Sequence, residues 1–416
     1  MKKMNEYFYH IGLKLRIYPS DAQRKIIKIN GGASRYIYNK LVADNNEMWK
    51  LKKTAHLSPA DKDRLDFLES VHSSKSNMVV MIPFLSMSEI DSNMINHSLQ
   101  NYKNAWNQFK KVKGTSIPTF HKKDYTYSYA TSNHYPNGSK GLNSGSIYFI
   151  DKSHIRLPKI GKVRFKASKK LIDRIFSLAD EIRLGSVSIE MDNLNCCYVS
   201  LSLASDMPFY TQYAKTGSIC GIDVNLTNFL ADSDGNKIES PKFLRKAEAK
   251  LKKNQRKLSK REETAKKKGV KYCTVKNYND QRLKVAKLHK KVANQRSDFH
   301  NALANTLVKN HDYIFAEDIK VKNLLKNHKL AKAISDSGWR GFLTKLEWTA
   351  NKRGKTFMLV NPKNTTQSCS VCGCVSPVKI ELGVEEWTCP YCNTHHDRDI
   401  NAAKNIKSRG MLILGL

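Results

Sequence analysis

The sequence contains no long apolar run. Near the N-terminus, Lys14 and Arg16 interrupt the apolar residues between Ile11 and Ile17, so no core is long enough for a signal peptide. No other segment approaches the roughly 20 apolar residues of a membrane-spanning helix, and we expect no membrane partner. Cysteines are also few: the chain has nine, unevenly placed, which excludes the disulfide framework of a small secreted domain. We expect a cytoplasmic protein of the prokaryotic cytosol or nucleoid.

Acidic residues are scarce relative to basic ones. The chain has 37 Asp and Glu against 72 Lys and Arg, a formal net charge of +35, which predicts a polyanionic partner. Hydrophobic residues make up 40% and charged residues 26% of the chain, as in globular proteins, so a wholly disordered basic protein is excluded. The length of 416 residues predicts roughly two to four domains.

The first predicted element is a strand. Apolar and polar residues alternate over residues 11–17, which is the pattern of a half-buried strand. Pro19 ends this pattern, and Ser20 with Gln23 has the spacing of a helix-capping box. Mostly helical periodicity continues from there to about residue 113.

Strand and turn patterns replace helical ones from about residue 114 to residue 215. An isolated N-terminal strand needs a sheet to join. We therefore expect residues 1–19 and 114–215 to form one barrel, with residues 20–113 as a helical insertion.

Positive charge is most concentrated in residues 242–296, which hold 21 basic and four acidic residues. Apolar residues from Leu288 to Leu307 recur at helical intervals, which predicts a helical hairpin with cationic outer faces. A solvated helix face is the alternative, but so one-sided a charge repels itself unless anions cover it, which favours phosphate binding. The candidate nucleic-acid contacts are Lys252, Lys253, Arg256, Lys257, Lys266, Lys267 and Lys268.

Four cysteines form two C-x2-C pairs separated by 16 residues: Cys369 with Cys372, and Cys389 with Cys392. Two tight turns at this spacing can present four thiolates tetrahedrally, which predicts a structural zinc ribbon at about 365–395. Redox use of one pair is the competing interpretation. Cys374, His395 and His396 lie nearby, but we expect none of them to be a ligand because four thiolates complete a closed site.

Three acidic residues stand at the ends of predicted elements. Asp223 and Glu317 each end a short apolar strand, and Asp399 begins a run of helix-forming residues. Carboxylates from separate elements are what two divalent metals need for phosphodiester hydrolysis. Each acid also has a structural interpretation: Asp223 as a turn cap, Glu317 as an ion-pair partner and Asp399 as a helix N-cap. Both interpretations remain open at this point.

Four segments resemble, in the same order, the TnpB (OrfB) proteins of insertion sequences, whose set of motifs the miniature type V CRISPR effectors share: residues 221–223 (GID), 315–319 (FAEDI), 361–373 (NPKNTTQSCSVCG) and 397–405 (DRDINAAKN). Residues 17–19 and 38–41 are similar to the N-terminal signature of that family. Trp339, with Phe342, Leu346 and Gly354, resembles the helix that precedes the family's zinc ribbon. The resemblance covers nearly the whole chain.

The resemblance implies a multidomain α/β protein. Its parts would be a wedge β-barrel (residues 1–19 and 114–215), interrupted by a helical recognition domain (20–113), and a RuvC nuclease domain of RNase H-like fold (216–416) with an inserted zinc ribbon. It further implies an RNA-guided DNA endonuclease that binds a guide RNA, recognises a short flanking motif in double-stranded target DNA and cleaves that DNA.

The resemblance also assigns the site. Asp223, Glu317 and Asp399 would be the acidic triad and bind catalytic Mg²⁺, two ions in the two-metal mechanism. One departure is Asn225, where many relatives have glycine; because Asn tolerates left-handed backbone, we expect the turn to survive. Residues 1–195 contain no cysteine and hence no second zinc finger, which favours TnpB over miniature effectors that carry one.

We expect a monomer rather than a dimer. Three other functions compete with cleavage. A guided repressor would keep the fold but lose a metal ligand. A transposase would use the same fold for strand transfer, because fold and triad do not choose between hydrolysis and transesterification. A zinc-ribbon RNA-binding protein would leave the three carboxylates unexplained.

Overall fold

The computed structural model describes residues 2–71, 74–136, 140–324, 326–328, 330–380 and 383–416. The chain folds into two compact units, an N-terminal unit (Met1–Phe209) and a C-terminal unit (Tyr210–Leu416). Among the described residues, no helix has both the length and the apolar character needed to cross a membrane.

The N-terminal unit is built on one antiparallel sheet. Its strands are β1 (Tyr9–Tyr18), β2 (Tyr127–Ser132), β3 (Tyr148–Asp151), β4 (His154–Leu157), β5 (Gly161–Lys166), β6 (Arg183–Met191) and β7 (Cys197–Ser205). Their order in the sheet is β2-β6-β7-β1-β5-β4-β3. The first strand thus lies inside the sheet, between β7 and β5, and its residues alternate between buried and exposed. The prediction of a half-buried first strand that joins the later strands is confirmed.

The sheet curls so that its two edge strands approach each other. The Ser146 amide donates a hydrogen bond to the His134 carbonyl (2.9 Å), which joins the segment after β2 to the segment before β3. The side-chain oxygen of Asn133 accepts a further bond from the Ile147 amide (2.9 Å). In the described part of the chain, loop contacts rather than a strand pairing connect the two edges.

Helices surround this sheet. They are α1 (Asp21–Lys53), α2 (Pro59–Val71), α3 (Lys75–Met81), α4 (Ser92–Lys111) and α5 (Lys169–Ser177), with short 3-10 helices at Met4–Glu6 and Pro83–Ser86. The predicted capping box begins α1: Ser20 accepts a bond from the Gln23 amide, and the Gln23 side chain accepts one from the Ser20 amide. Gly31 lets α1 approach β2 closely, because a Cβ there would lie 2.9 Å from that of Tyr127.

The C-terminal unit contains a mixed sheet and a small hairpin. Its strands are β8 (Ile219–Asp223), β9 (Asn228–Asp232), β10 (Lys237–Glu239), β11 (Tyr313–Glu317), β12 (Thr356–Val360), β13 (Glu386–Thr388) and β14 (His395–Asp397). The main sheet has the order β10-β9-β8-β11-β12. β8, β11 and β12 run parallel, so their carboxyl ends meet at one edge, whereas β9 and β10 add antiparallel pairs.

Helices cover both faces of this sheet. They are α6 (Phe243–Lys267), α7 (Lys276–Asn310), α8 (Val321–Leu324), α9 (Ala331–Ser337), α10 (Trp339–Arg353) and α11 (Arg398–Leu414), with a 3-10 helix at Tyr272–Thr274. On one face, Ile314 and Ala316 of β11 pack with residues of α7 and α10. On the other, Phe315 packs with Ile406 of α11. Successive residues of β11 thus serve two separate cores.

Two glycines allow α11 to lie close to the sheet. A Cβ on Gly221 of β8 would lie 2.1 Å from the Ala403 carbonyl oxygen, and one on Gly410 of α11 would lie 2.1 Å from the Phe315 ring. Real Cβ atoms do not come so near to other heavy atoms. The position of α11 relative to β8 and β11 therefore depends on glycine at both points.

Helices α6 and α7 form the predicted hairpin. Val292 and Leu307 of α7 are buried, as their helical spacing indicates. The Gln281 side chain of α7 donates to the backbone and side-chain oxygens of Asn254 in α6 (2.9 and 3.0 Å). The hairpin is thus joined by polar as well as apolar contacts.

Candidate functional site

Asp223 is the last residue of β8, at the edge where the parallel strands end. Burial raises the pKa of its carboxyl well above the ordinary value, and the carboxylates of Glu317 and Asp399 raise it further, whereas Arg398 opposes them. Three like charges that share a partly desolvated site disfavour ionisation unless a cation is added. Asp223 is therefore poised to hold either a proton or a metal ion.

Glu317 ends the neighbouring strand, β11. Ala316 pairs with Ile222 in parallel register, so the residues that follow them, Glu317 and Asp223, end adjacent strands. Burial raises the pKa of Glu317, and a hydrogen bond from the Thr365 hydroxyl lowers it. Glu317 forms no ion pair with the residues that the structure describes, so the interpretation of this residue as an ion-pair partner is wrong.

Asp399 lies in the first turn of α11, but it does not cap that helix. The N-cap is Asp397, whose Oδ1 accepts bonds from the Asp399 amide (3.1 Å) and the Ile400 amide (3.0 Å). The N-cap interpretation of Asp399 is therefore wrong. Its carboxylate is buried and accepts a hydrogen bond from Arg398 Nη2 (2.9 Å).

The three carboxylates line one cleft of about 1170 Å³, together with Asn225 and Arg398. Side chains from the α8–α10 region form part of its lining: Leu324, Leu330, Ile334 and Trp339. Two strand ends and a helix start thus bring the three acids together. Their carboxylate oxygens are the kind of hard donor that Mg²⁺ prefers, although they do not form a group within 4.8 Å of one another as the four cysteine sulfurs do.

Asn225 does not use the backbone conformation that its position suggested. Its φ is not among the positive values of the described residues, so the turn survives as expected but without left-handed backbone at this residue. Instead, Asn225 Oδ1 accepts a hydrogen bond from the Asn228 amide (2.8 Å), and its own amide donates to the Phe229 carbonyl (3.3 Å). The side chain stabilises the turn after β8 where relatives have glycine.

The four predicted cysteines converge, with their sulfur atoms all within 4.8 Å of one another. Cys369 and Cys392 sulfurs are 3.6 Å apart, and those of Cys372 and Cys389 are 3.7 Å apart. Four sulfurs bound tetrahedrally at 2.3 Å from zinc would be about 3.8 Å apart. The arrangement could hold one metal ion of this kind.

Two backbone loops of matching geometry present these cysteines. In the first, the Gly373 amide donates to the Cys369 carbonyl; in the second, the Asn393 amide donates to the Cys389 carbonyl, both at 2.9 Å. Gly373 and Asn393 have positive φ angles of 75° and 54°, which glycine and asparagine adopt at least cost. These backbone bonds close both loops in the same way.

The other three candidate ligands lie outside the four-thiolate group. Cys374 contributes its carbonyl, which accepts a bond from the Cys369 amide (2.9 Å), and His395 is exposed. His396 is buried, with Nε2 3.0 Å from Cys369 Sγ and its ring against Trp387. Sequence reasoning missed this contact, which suits a histidine N–H that stabilises a thiolate.

All seven basic candidates of the hairpin are exposed. Lys252, Lys266 and Lys267 each pair with a glutamate four residues earlier, at 2.7 to 3.1 Å. The remaining four have no acidic partner among the described residues: Lys253, Arg256, Lys257 and Lys268. These four are the better candidates for phosphate contacts.

Three family models match the chain in order. They are a helix-turn-helix domain of OrfB_IS605 proteins (residues 9–54), OrfB_IS605 itself, described as a probable transposase (188–328), and the TNB domain of Cas12f1-like proteins (339–406). Together the three matched regions include residues of both units. Over these regions the chain resembles proteins of the OrfB (TnpB) family. The region matched as helix-turn-helix consists here of β1 and the single long helix α1.

Relatives in the OrfB family align over nearly the entire chain. A protein of Streptomyces pristinaespiralis, provisionally named an RNA-guided DNA endonuclease, is 28% identical over 96% of this chain and 89% of its own length. The protein InsQ of Escherichia coli K12, provisionally given the same activity, is 24% identical over 96% of this chain and 92% of its own. The TnpB-like protein L770 of Acanthamoeba polyphaga mimivirus is 24% identical over 96% and 73%.

The fold is similar to a solved one. The Cas12f1 chain from a cryo-EM structure of a Cas12f1–sgRNA–target DNA complex superposes with a TM-score of 0.55 and 13% identity, over 96% of this chain and 98% of that one. The chain therefore has a mixed α/β, multidomain fold of the Cas12f kind.

Proposed function

We propose that this protein is an RNA-guided DNA endonuclease. The observation that carries the proposal is the convergence of Asp223, Glu317 and Asp399 on one cleft, in a chain that resembles OrfB proteins and has a net charge of +35. Its relatives' names point to the same activity. A binding protein would have no use for three crowded carboxylates, among which Asp223 and Glu317 have raised pKa values.

We assign the C-terminal unit's main sheet to an RNase H-like RuvC domain, whose active site would lie where β8 and β11 end. Mg²⁺, two ions in this proposal, would supply charge stabilisation for the attacking and leaving oxygens when bound. Asp223, Glu317 and Asp399 would hold the metal. Arg398, beside Asp399 and on the cleft wall, would keep that carboxylate oriented and add positive charge near the phosphate.

The guide RNA and the target strand would lie along basic surfaces. In RNA-guided recognition, base pairing supplies sequence specificity and the protein grips the A-form backbone. The α6–α7 hairpin offers exposed cations without paired acids, Lys253 and Lys257 among them, which suits such sequence-independent contacts. A short flanking DNA motif would be read by the N-terminal unit, which we interpret as wedge and recognition domains.

We assign zinc to the four thiolates, in a structural role. The sulfur separations and the two matched loops suit a tetrahedral, closed site with no open coordination position. We further propose that the protein acts as a monomer in the prokaryotic cytosol.

Strand transfer is the second candidate, because the matching OrfB_IS605 model is described as a probable transposase and a carboxylate triad serves transesterification as well. In a purified reaction with a labelled DNA 3′ end, hydrolysis leaves free ends, whereas strand transfer joins the label to another DNA. Joined product would overturn the endonuclease proposal.

The test is cleavage of a target plasmid by the protein purified with its own RNA. Wild type should cut in Mg²⁺, Asp223→Ala should bind without cutting, and the control Asp66→Ala, which changes an exposed acid of α2, should cut normally. Equal cutting by wild type and Asp223→Ala would refute the site. Target binding without cutting by either would support a guided repressor instead.

A further inference from the structure

Two asparagines of α11 hold the chain that enters the ribbon. Asn401 uses both ends of its amide: Nδ2 donates to the Ser368 carbonyl, and Oδ1 accepts from the Ser370 amide, each at 2.8 Å. Asn405 Nδ2 donates to the Ser368 carbonyl (2.7 Å) and the Thr365 carbonyl (2.8 Å). Four hydrogen bonds thus join one helix face to six residues of chain.

These bonds are partly shielded from water. Asn401 is 1% exposed and Thr365 is 2% exposed. Removing one partner of a buried hydrogen bond leaves the other unsatisfied, which destabilises the contact. The contact between α11 and this segment is therefore specific in register, since a shift by one residue would leave several of these amide and carbonyl groups without hydrogen-bond partners.

The bonded segment connects the two functional clusters. Its first bonded residue, Thr365, donates its hydroxyl to Glu317, and its last two flank Cys369 of the thiolate group. The helix that supplies the amides begins at Arg398 and carries Asp399 in its first turn. Two of the three carboxylates are thus one contact away from the bonds that fix the first cysteine loop.

We propose that Asn401 and Asn405 are positioning residues that transmit the geometry of the metal-loaded ribbon to Glu317 and Asp399. The inference rests on the proposed nuclease function for its catalytic readout. Thr365 completes the connection. Its hydroxyl has a single proton, for which the Glu317 carboxylate and the Pro362 carbonyl, 3.1 Å away, compete. An ionised Glu317 is the stronger acceptor.

This role differs from that of a ribbon-folding residue. No thiolate bonds to either asparagine side chain, and the bonds that close the two cysteine loops are between backbone groups; the one loop bond to an asparagine is from the Ser370 amide to Asn401. Without the side-chain amides of Asn401 and Asn405, the ribbon should therefore keep its metal. The Glu317 carboxylate, however, should no longer be held in a fixed position relative to α11. A ribbon-folding role would instead release the metal first.

The test uses full-length protein with its RNA and three variants: Asn401→Ala, Asn405→Ala and their combination. Asn405 is half-buried, so its variant carries the smaller folding risk. The matched control is Asn305→Ala, because exposed Asn305 bonds only to Asn301 of its own helix. Cobalt substituted for zinc reports the ribbon through its tetrathiolate absorption bands. Mn²⁺ titration followed by electron paramagnetic resonance reports the carboxylate cleft without DNA, and single-turnover cleavage reports chemistry.

The cobalt spectrum should be unchanged in every variant. Mn²⁺ affinity and cleavage rate should each fall about tenfold or more in the Asn401 and Asn405 variants, as for other residues that orient metal ligands, while the Asn305 control matches wild type. Thr365→Val should show the same loss and Thr365→Ser should restore activity. Loss of the cobalt bands in Asn405→Ala, or unchanged Mn²⁺ affinity in the combined variant, would overturn the proposal.

Combining an asparagine variant with Cys369→Ser shows whether the asparagines transmit the geometry of the ribbon or whether the two changes damage the protein independently. If the amides carry the ribbon's influence, the combined variant should lose no more activity than the worse of its parents, because coupled residues are not additive. Multiplied losses would overturn the proposal. If wild type fails to cut DNA but Asn401→Ala still weakens Mn²⁺ binding, the positioning role stands and the nuclease function falls.

Discussion

At the scale of single residues, the proposed function has protons and a metal ion compete for the same carboxylate oxygens of the cleft. Asp223 ionises reluctantly because it is buried and faces Glu317 and Asp399. A cation bound there replaces the missing positive charge and reverses that preference. The crowding with other carboxylates that raises the pKa of Asp223 would therefore also make Asp223 a good metal ligand.

Removing one carboxylate should cost about as much as removing all three. Glu317→Ala, Asp223→Ala and the triple variant should each abolish cleavage, with guide and target binding nearly unchanged, because the three act as a unit. Cleavage and filter-binding assays on the same preparations measure both. Small losses that add up across the variants would identify three independent surface acids.

The Mg²⁺ requirement should depend on pH. Asp223 holds its proton up to its raised pKa, and metal must displace that proton. The Mg²⁺ concentration for half-maximal cleavage should therefore fall as pH rises, by up to about tenfold per pH unit for one displaced proton, and level off once Asp223 ionises unaided. A requirement that stays constant from weakly acidic to weakly alkaline pH would contradict this account.

At the scale of elements, the ribbon should behave as a metal-dependent fold. Cys369→Ser removes one of four thiolates and should release the zinc, which elemental analysis would otherwise find at about one per chain. Cleavage should fall, because the first cysteine loop contacts α11. As a control, Cys273→Ser changes an exposed cysteine outside the ribbon and should leave zinc and activity intact. A zinc-free preparation with normal stability and cutting would contradict the prediction.

The α6–α7 hairpin should contribute to the salt dependence of nucleic-acid binding. Changing Lys253, Lys257 and Lys268 to Gln should flatten the log–log salt slope by about 0.7–0.9 for each lost phosphate contact. Changing Lys252, Lys266 and Lys267, which already pair with glutamates, is the matched control and should flatten it less. Equal slopes in wild type and both variants would make the hairpin an ordinary solvated surface.

Elements with a strong local signal could be predicted from sequence. The alternating residues of β1 and the Ser20–Gln23 capping box needed only short-range chemistry. The helix start at Asp399 was harder, because Asp397 offers the same capping oxygen two residues earlier and only the backbone decides between them. At Asn225 the turn was expected to survive, but the side-chain hydrogen bond that forms it could not be read from the sequence.

The convergence of the site is beyond local reasoning. Glu317 and Asp223 meet because β11 pairs with β8 across 89 intervening residues of hairpin and turn, a register that no local pattern encodes. Thr365, Asn401 and His396 were missed as partners for the same reason. Their only signal was position within segments that resemble the family, which does not say what they contact.

At the scale of the whole molecule, the C-terminal unit depends on a buried ion pair far along the strands from the cleft. Lys355 Nζ, with a side chain 1% exposed, donates to Asp312 and to the Ala214 carbonyl. Asp312 also accepts bonds from the Thr216 and Gly217 amides. The pair joins the entry of β8 to the starts of β11 and β12.

Asp312→Asn should destabilise the unit by about 3 kcal/mol, because it leaves a buried ammonium without its counter-ion. Burial acts to raise the pKa of Asp312, but Lys355 and the two amides outweigh it and lower the pKa from 3.8 to about 2. The stabilisation is thus fully present above pH 4 and disappears as pH falls towards 2. Urea unfolding should show a wild-type advantage that shrinks over that interval, while exposed Asp298→Asn changes little. An advantage unaffected by acid would refute the role of the pair.

The two glycine contacts of α11 have a mechanical consequence. A helix that meets its sheet where even a methyl group has no room, at Gly221 and at Gly410, can neither roll nor slide without collision. The side of the cleft that carries Asp399 is therefore fixed relative to the sheet. Any widening needed to admit a nucleic-acid strand must come from displacement of the opposite wall, and the carboxylates stay in register while it happens.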